Sequence, residues 1–179
     1  MPRVRSPGHF SSKGMIMKEK YTAKDIIEMA AKAKERGAEL YLALARNSEN
    51  FHVGQFFTEL AKDEHRHKME IEKFLSRLSP AEREEAYPGE RSMYLKALVD
   101  ENTFKCGAVC KKALEKTISE EEALAAGITF EKDFMLFLHD LKRNVSSDAQ
   151  ELVEKLIEEE IAHIQRMFHL SEKAKKGRG

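Results

Sequence analysis

Residues 60–67, LAKDEHRH, and residues 157–163, IEEEIAH, decide the fold of this chain, because each sets a Glu and a His among regularly spaced apolar residues. The pairs are Glu64 with His67 and Glu160 with His163. Both pairs continue the alternation of three and four residues that lines the core of a helical bundle. The two seams consist of Phe57, Leu60, Glu64, His67, Ile71 and Phe74, and of Val153, Leu156, Glu160, His163, Met167 and Leu170. We therefore predict two helices that turn Glu and His toward one interior.

Four long segments have helical periodicity and contain no proline, at about residues 23–46, 51–78, 120–145 and 148–173. Thr22 with Asp25 and Ser119 with Glu122 have the spacing of helix N-terminal caps. Short loops join the first segment to the second and the third to the fourth, which predicts two antiparallel hairpins. The long connection, with shorter helices near 93–99 and 104–114, must cross over between the hairpins. This layout predicts an all-α, ferritin-like four-helix bundle.

We assign residues 22–172 to the bundle, residues 1–21 to a flexible N-terminal lead and residues 173–179 to a flexible tail, because proline, glycine and polar residues dominate the two ends. The second and fourth helices match at an offset of 96 residues, and the first and third match similarly. Such an internal repeat is typical of a pseudo-twofold bundle.

The third helix adds Glu131 to the same interior, in a seam formed by Leu124, Gly127, Glu131, Phe134, Leu138 and Leu141. A third Glu-x-x-His pair, Glu49 and His52, lies off the seam and is interpreted as accidental. Buried carboxylates without a positive partner cost several kcal/mol. One alternative is that these polar residues satisfy one another and nearby lysines. The main prediction is a metal site made of Glu64, His67, Glu131, Glu160 and His163, since carboxylate and imidazole ligands at one depth suit a divalent cation.

These stretches, together with ERGAELY at 35–41 and FEKD at 130–133, resemble the rubrerythrin-type di-iron bundle over about residues 22–172. The resemblance implies that Glu64 and Glu160 bridge two metals and that His67 and His163 each hold one. Glu131 would be a terminal ligand on the His163 side. It also implies iron as the cofactor, one or two ions, with manganese or zinc as alternatives, and a homodimer. Its activity would be reaction with peroxide or dioxygen. The rubredoxin cysteine pairs of full rubrerythrins are missing, so turnover would need an external electron donor.

One position departs from the family pattern, because Lys34 stands where the first helix should supply a terminal Glu seven residues before Tyr41. Three Glu and one ammonium leave two negative charges, which balance one divalent ion. We hypothesise that Lys34 replaces the metal on the His67 side and pairs with Glu64. The alternative is that the lysine stem bends away and Glu35 rotates in.

The composition argues against nucleic-acid and membrane partners. Lys plus Arg equals Asp plus Glu at 31 each, and no basic stripe is present, so we expect no nucleic-acid partner. Apolar stretches are far shorter than a membrane span and no signal-peptide pattern is found, which predicts a cytoplasmic protein without a membrane partner. The two cysteines, Cys106 and Cys110, are interpreted as free structural thiols, with a redox pair or metal clip as the alternative.

Three functions remain open after this reading. The first is a non-haem iron peroxidase or oxidoreductase, the second a protein that stores or delivers metal without turnover, and the third a metal-free structural bundle. Whether the chain is an enzyme therefore stays open. Tyr41 is interpreted as a half-buried core residue, with a hydrogen bond to the metal site as the alternative. Phe134, Met167 and Phe168 are predicted to lie in the core, and His9, His65, His139 and His169 on the surface.

Overall fold

A computed structural model describes residues 22–84, 112, 115, 118–143, 145 and 147–176. It contains four long helices: α1 (Ala23–Asn47), α2 (Phe51–Arg77), α4 (Glu120–Lys142) and α5 (Ser147–Lys176). A short helix, α3 (Pro80–Arg83), follows α2. The predicted bounds are confirmed to within about three residues, as expected where helix ends fray. The short helices predicted at 93–99 and 104–114, except for Lys112, lie outside the described residues, as do His9, Cys106 and Cys110.

Local sequence explains where the helices begin. Thr22 and Ser119 accept from the backbone three residues later, while Asp25 and Glu122 close the reciprocal bonds of two capping boxes. Asn50 caps α2 by accepting from the backbone of His52 and Val53. The sequence reading missed α3, although Ser79 with Pro80 and Glu82 forms a third capping box with proline in the first turn.

The helices form two hairpins around one core. Helix α1 packs along α2 and α4 along α5, and the hairpins meet through α1 with α4 and α2 with α5. The predicted seam residues line the core, where each large apolar side chain contributes roughly 1.5–3 kcal/mol through burial. Phe134 and Met167 are buried as predicted, whereas Phe168 is 55% exposed and its core assignment was wrong. Phe168 adjoins Met167 in sequence and therefore faces outward when Met167 faces inward.

The outer surface agrees with the remaining sequence predictions. His65, His139 and His169 are exposed, and so are Glu49 and His52 of the accidental pair. Among the described residues, no helix is long and apolar enough to cross a membrane.

Candidate metal centre

The predicted site residues meet at one depth in the bundle. Each of them is at most 5% exposed, and Lys34 is fully buried beside them. Four of the residues offer ligand atoms that all lie within 4.8 Å of one another, namely Glu64, Glu131, Glu160 and His163. The fifth predicted ligand, His67, does not belong to that group. The structure therefore brings all five residues together, because His67 Nδ1 still lies 3.6 Å from Glu64 Oε1 and 3.2 Å from Glu160 Oε1.

Lys34 lies between carboxylates of α2 and α5. Its Nζ is 2.8 Å from Glu64 Oε1 and 2.6 Å from Glu160 Oε1, and it donates hydrogen bonds to both. Burial alone would lower the pKa of Lys34, but the surrounding carboxylates outweigh burial and raise it, Glu160 most strongly. The predicted pair of Lys34 with Glu64 is confirmed, and the bond to Glu160 is an addition.

The alternative in which Glu35 enters the core is wrong. The Glu35 side chain is 50% exposed and accepts a hydrogen bond from Lys68 at 2.6 Å. Lys34 does not bend toward solvent, because its Nζ also lies 3.9 Å from the centre of the Phe134 ring. Carboxylates and an aromatic face together offset the cost of removing the ammonium from water.

Both histidines turn Nδ1 toward the centre and Nε2 toward an outer carboxylate of the opposite hairpin. His67 Nε2 is 2.7 Å from Glu159 Oε2, and His163 Nε2 is 3.4 Å from Asp63 Oδ2. An outer carboxylate on one ring nitrogen fixes the tautomer that presents the other nitrogen to a metal. The sequence reading missed Asp63 and Glu159. The signal was the repeat, because each directly precedes a seam Glu at the same 96-residue offset.

Tyr41 holds the remaining carboxylate. Its hydroxyl donates to Glu131 Oε1 at 2.5 Å, and its ring is fully buried against Phe57 at a centroid distance of 5.9 Å. Burial, followed by the charge of Glu131, raises the pKa of Tyr41, so the hydroxyl keeps its proton. The preferred prediction of a half-buried core tyrosine was therefore wrong, and the hydrogen-bond alternative is confirmed.

The ionisation of the site reflects crowded acids in a dry interior. Burial first, and then the charges of Glu160 and Glu64, raise the pKa of Glu131 to about 8. Burial opposes protonation of His163, but its bonds to Glu131 and Glu160 outweigh burial and raise its pKa to about 10. Burial also opposes protonation of His67, but its contacts with Glu160 and Glu64 outweigh burial and raise its pKa to about 9. Protons on these groups stand where a metal ion would otherwise supply positive charge.

Buried atoms without hydrogen bonds show where a cation fits. Within the described part of the chain, Glu64 Oε2, Glu131 Oε2 and His67 Nδ1 have no hydrogen-bond partner. Gly37 permits this crowding, because a Cβ there would lie 2.4 Å from Glu64 Oε2. Native proteins seldom leave such atoms unpaired in the core. Oxygen and imidazole donors of this kind suit divalent iron, manganese or zinc, so the residues fit a metal ion.

Comparison with known proteins agrees with this geometry. A ferritin-like diiron-carboxylate protein from Thermotoga maritima superposes with a TM-score of 0.69 at 22% identity, covering 87% of this chain and 98% of that one. This likeness shows the ferritin-like fold. No curated protein matches the sequence. The rubrerythrin family model matches residues 25–171, which include most of each of the four long helices and every residue of the site. With seam, fold and family model in agreement, this chain belongs to the rubrerythrin family.

Proposed function

We propose that this protein binds one divalent metal ion, iron by family, through Glu131, Glu160 and His163 with Glu64 beside them. The bound ion would react with peroxide or dioxygen. One observation carries this proposal: four ligand atoms converge within 4.8 Å, while the Lys34 ammonium holds one oxygen each of Glu64 and Glu160. An ammonium and a metal ion cannot share that position, because two cations in contact would repel strongly in a dry interior.

Charge balance supports one ion rather than two. Three carboxylates and one ammonium leave a formal charge of −2 when both histidines are neutral, and one divalent ion neutralises it. A second divalent ion would leave the buried site with a net charge of +2. The cost of an uncompensated buried charge is several kcal/mol, which weighs against the second ion.

The protein's own residues would orient and protect the ion. Asp63 sets the His163 ring, and Tyr41 fixes one oxygen of Glu131 by its hydrogen bond. The rings of Phe134 and Phe57 exclude water from the sides that lie toward the core. Iron bound there supplies one-electron exchange between the ferrous and ferric states, for which an external donor would return the electron.

A second candidate function is a metal-free structural bundle. It is favoured by the same Lys34 contacts, because the ammonium donates hydrogen bonds of 2.6 and 2.8 Å to two carboxylates and also lies 3.8 Å from Glu131 Oε2. Glu131 would then be held by Tyr41 and a protonated His163. The buried atoms of Glu64, Glu131 and His67 that have no hydrogen bond among the described residues favour the metal-binding candidate over this one.

Metal analysis separates these candidates. Full-length protein equilibrated with excess Fe(II) without oxygen, then freed of unbound metal, should contain one iron per chain. Lys34→Glu should contain two, because it supplies the fourth carboxylate, whereas Glu35→Gln on the exposed face should still contain one. Two ions in the wild type would contradict the one-ion site, and none would favour the metal-free bundle. Oxidation of the ferrous protein by added peroxide then distinguishes reactivity from storage.

A further inference from the structure

Outside the two histidines, one guanidinium of α2 joins two carboxylates of its own helix to a third carboxylate across the gap on α5. Arg66 lies 3.1 Å from Asp63, 3.3 Å from Glu70 and 2.6 Å from Glu159. The same nitrogen that contacts Glu159 lies 3.3 Å from His67 Nε2. Arg66 is 42% exposed, while the carboxylates are 27–32% exposed. This group therefore lies between solvent and the buried centre.

Arg66 and its three carboxylates line the side of the site that lies between α2 and α5. Toward α1 and α4 the centre is enclosed by Tyr41, Phe130 and Phe134, and along α2 it lies between Leu60 and Ile71, all of them buried. A divalent ion crossing those apolar layers would lose its hydration without replacement, which costs many kcal/mol. Between α2 and α5 the ion would meet a carboxylate or an imidazole at each step instead. Of the faces formed by described residues, this one suits cation passage.

Polar side chains follow one another along this path from the surface to the buried centre. Asp63 and Glu159 are the outer carboxylates, and each contacts the Nε2 of a histidine. The His67 and His163 rings face each other at a centroid distance of 5.9 Å. Behind them lie the fully buried Glu160 and the Nδ1 of His67, which has no hydrogen-bond partner among the described residues. A surface acidic cluster thus leads directly to buried ligand atoms.

We propose that Arg66 is a gating residue that closes a cation port formed by Asp63, Glu70 and Glu159. Its side chain must swing away before a divalent ion reaches these carboxylates and passes between the histidines. This inference rests on the proposed metal binding and adds the route and its control. Lys155 also pairs with Glu70 at 3.0 Å and with Glu159 at 3.8 Å, so it is a second, more peripheral cation at the port.

The test measures rates as well as occupancy. Metal-free full-length protein is mixed with Co(II), and the visible absorption of the bound ion is followed during uptake and, with a chelator, during release. Arg66→Gln should take up Co(II) on the order of tenfold faster, because removal of the guanidinium takes away a positively charged barrier and leaves the carboxylates as a negatively charged entrance. Release should accelerate by about the same factor, so the Kd should change little, since a gate acts on passage and not on the bound state.

A matched control lies on the same pair of helices. Arg166 of α5 pairs with Glu59 of α2 at 2.9 Å and lies over the Phe56 ring, away from the port. Arg166→Gln should leave both Co(II) rates unchanged. Arg66→Lys keeps the charge but lacks the fork that spans three carboxylates, so its rates should lie between those of the wild type and Arg66→Gln. It also provides a second reading if Arg66→Gln folds poorly.

The outcomes separate the port from the binding site. If Arg66 only supports Glu159 and through it His67, its loss should weaken affinity and speed release without faster uptake, and that result would overturn the port. Normal occupancy with both rates unchanged in the two Arg66 variants would also overturn it while leaving the proposed metal binding intact. A wild type that binds no Co(II) or Fe(II) would reject both proposals at once.

Discussion

The two hairpins of this bundle carry three equivalent site positions, of which one has opposite charge in the two halves. In α1–α2 the residues are Lys34, Glu64 and His67, and in α4–α5 they are Glu131, Glu160 and His163. The surroundings differ with the charge. Glu131 receives the Tyr41 hydroxyl, whereas the residue at the position of Tyr41 in the second hairpin is Leu138, whose side chain has no donor to offer Lys34. Lys34 instead lies over the ring of Phe134, whose counterpart in the first hairpin is Gly37.

This difference shows that the neighbours of Lys34 stabilise its charged ammonium directly. A carboxylate needs a hydrogen-bond donor in the core, and an ammonium is stabilised by an aromatic face and by anions. Each hairpin provides what the charged residue of the other hairpin requires, since Tyr41 donates to Glu131 and Phe134 faces Lys34. The centre therefore combines one half suited to a metal ion with one half that carries its cation within the chain.

The largest effect should come from removing the internal cation. Lys34→Met keeps the length of the stem but leaves Glu64 and Glu160 without their partner, so the metal-free protein should lose about 3–5 kcal/mol of unfolding free energy. Denaturant titration of the metal-free protein measures this change. Lys68→Met removes an ammonium paired with Glu35 on the surface, and its effect should be much smaller. Equal losses in the two variants would mean that Lys34 is not the cation of the core.

The two histidines should differ in their importance for metal binding. His163→Ala should lower metal affinity by more than about 100-fold, because even outer-shell losses commonly cost about 10–100-fold. His67→Ala should lower affinity by less than about tenfold, because His67 is not among the four residues whose ligand atoms are all close to one another and Lys34 lies on its side of the centre. Competitive titration with a chelating dye measures both affinities. Equal losses would indicate a symmetric two-ion site and contradict the comparison.

A smaller effect is expected at the Tyr41 hydroxyl, which has no counterpart in the other half. Tyr41→Phe leaves Glu131 Oε1 without its donor, so metal affinity should fall about tenfold. Unfolding of the metal-free protein should be easier by roughly 1–3 kcal/mol. Thr129→Val removes an exposed hydroxyl from the same helix as Glu131, where it donates to the carbonyl of Ala125, and should change neither property. An unchanged affinity in Tyr41→Phe would show that the hydrogen bond does not support the site.

Periodicity predicted the helices and the inward direction of the site residues, because the face on which a residue lies follows from its spacing along a helix. It did not predict contacts between hairpins. The reach of Lys34 to Glu160, the bond from Tyr41 to Glu131 and the cross-hairpin pairs of Asp63 and Glu159 depend on rotamers and on the separation of helices. The spacing of residues within one helix predicts neither the rotamers nor the distance between helices. Phe168 was misassigned because its apolar character was given more weight than its position off the seam.

The central claim is that one metal ion lies on the His163 side while Lys34 occupies the other side. Anomalous diffraction from crystals of Fe(II)-loaded protein, collected on both sides of the iron absorption edge, tests it most directly. The account predicts one iron peak per chain, beside Glu131, Glu160 and His163, with the Lys34 ammonium still against Glu64. Two iron peaks per chain, with Lys34 displaced from the carboxylates, would contradict it.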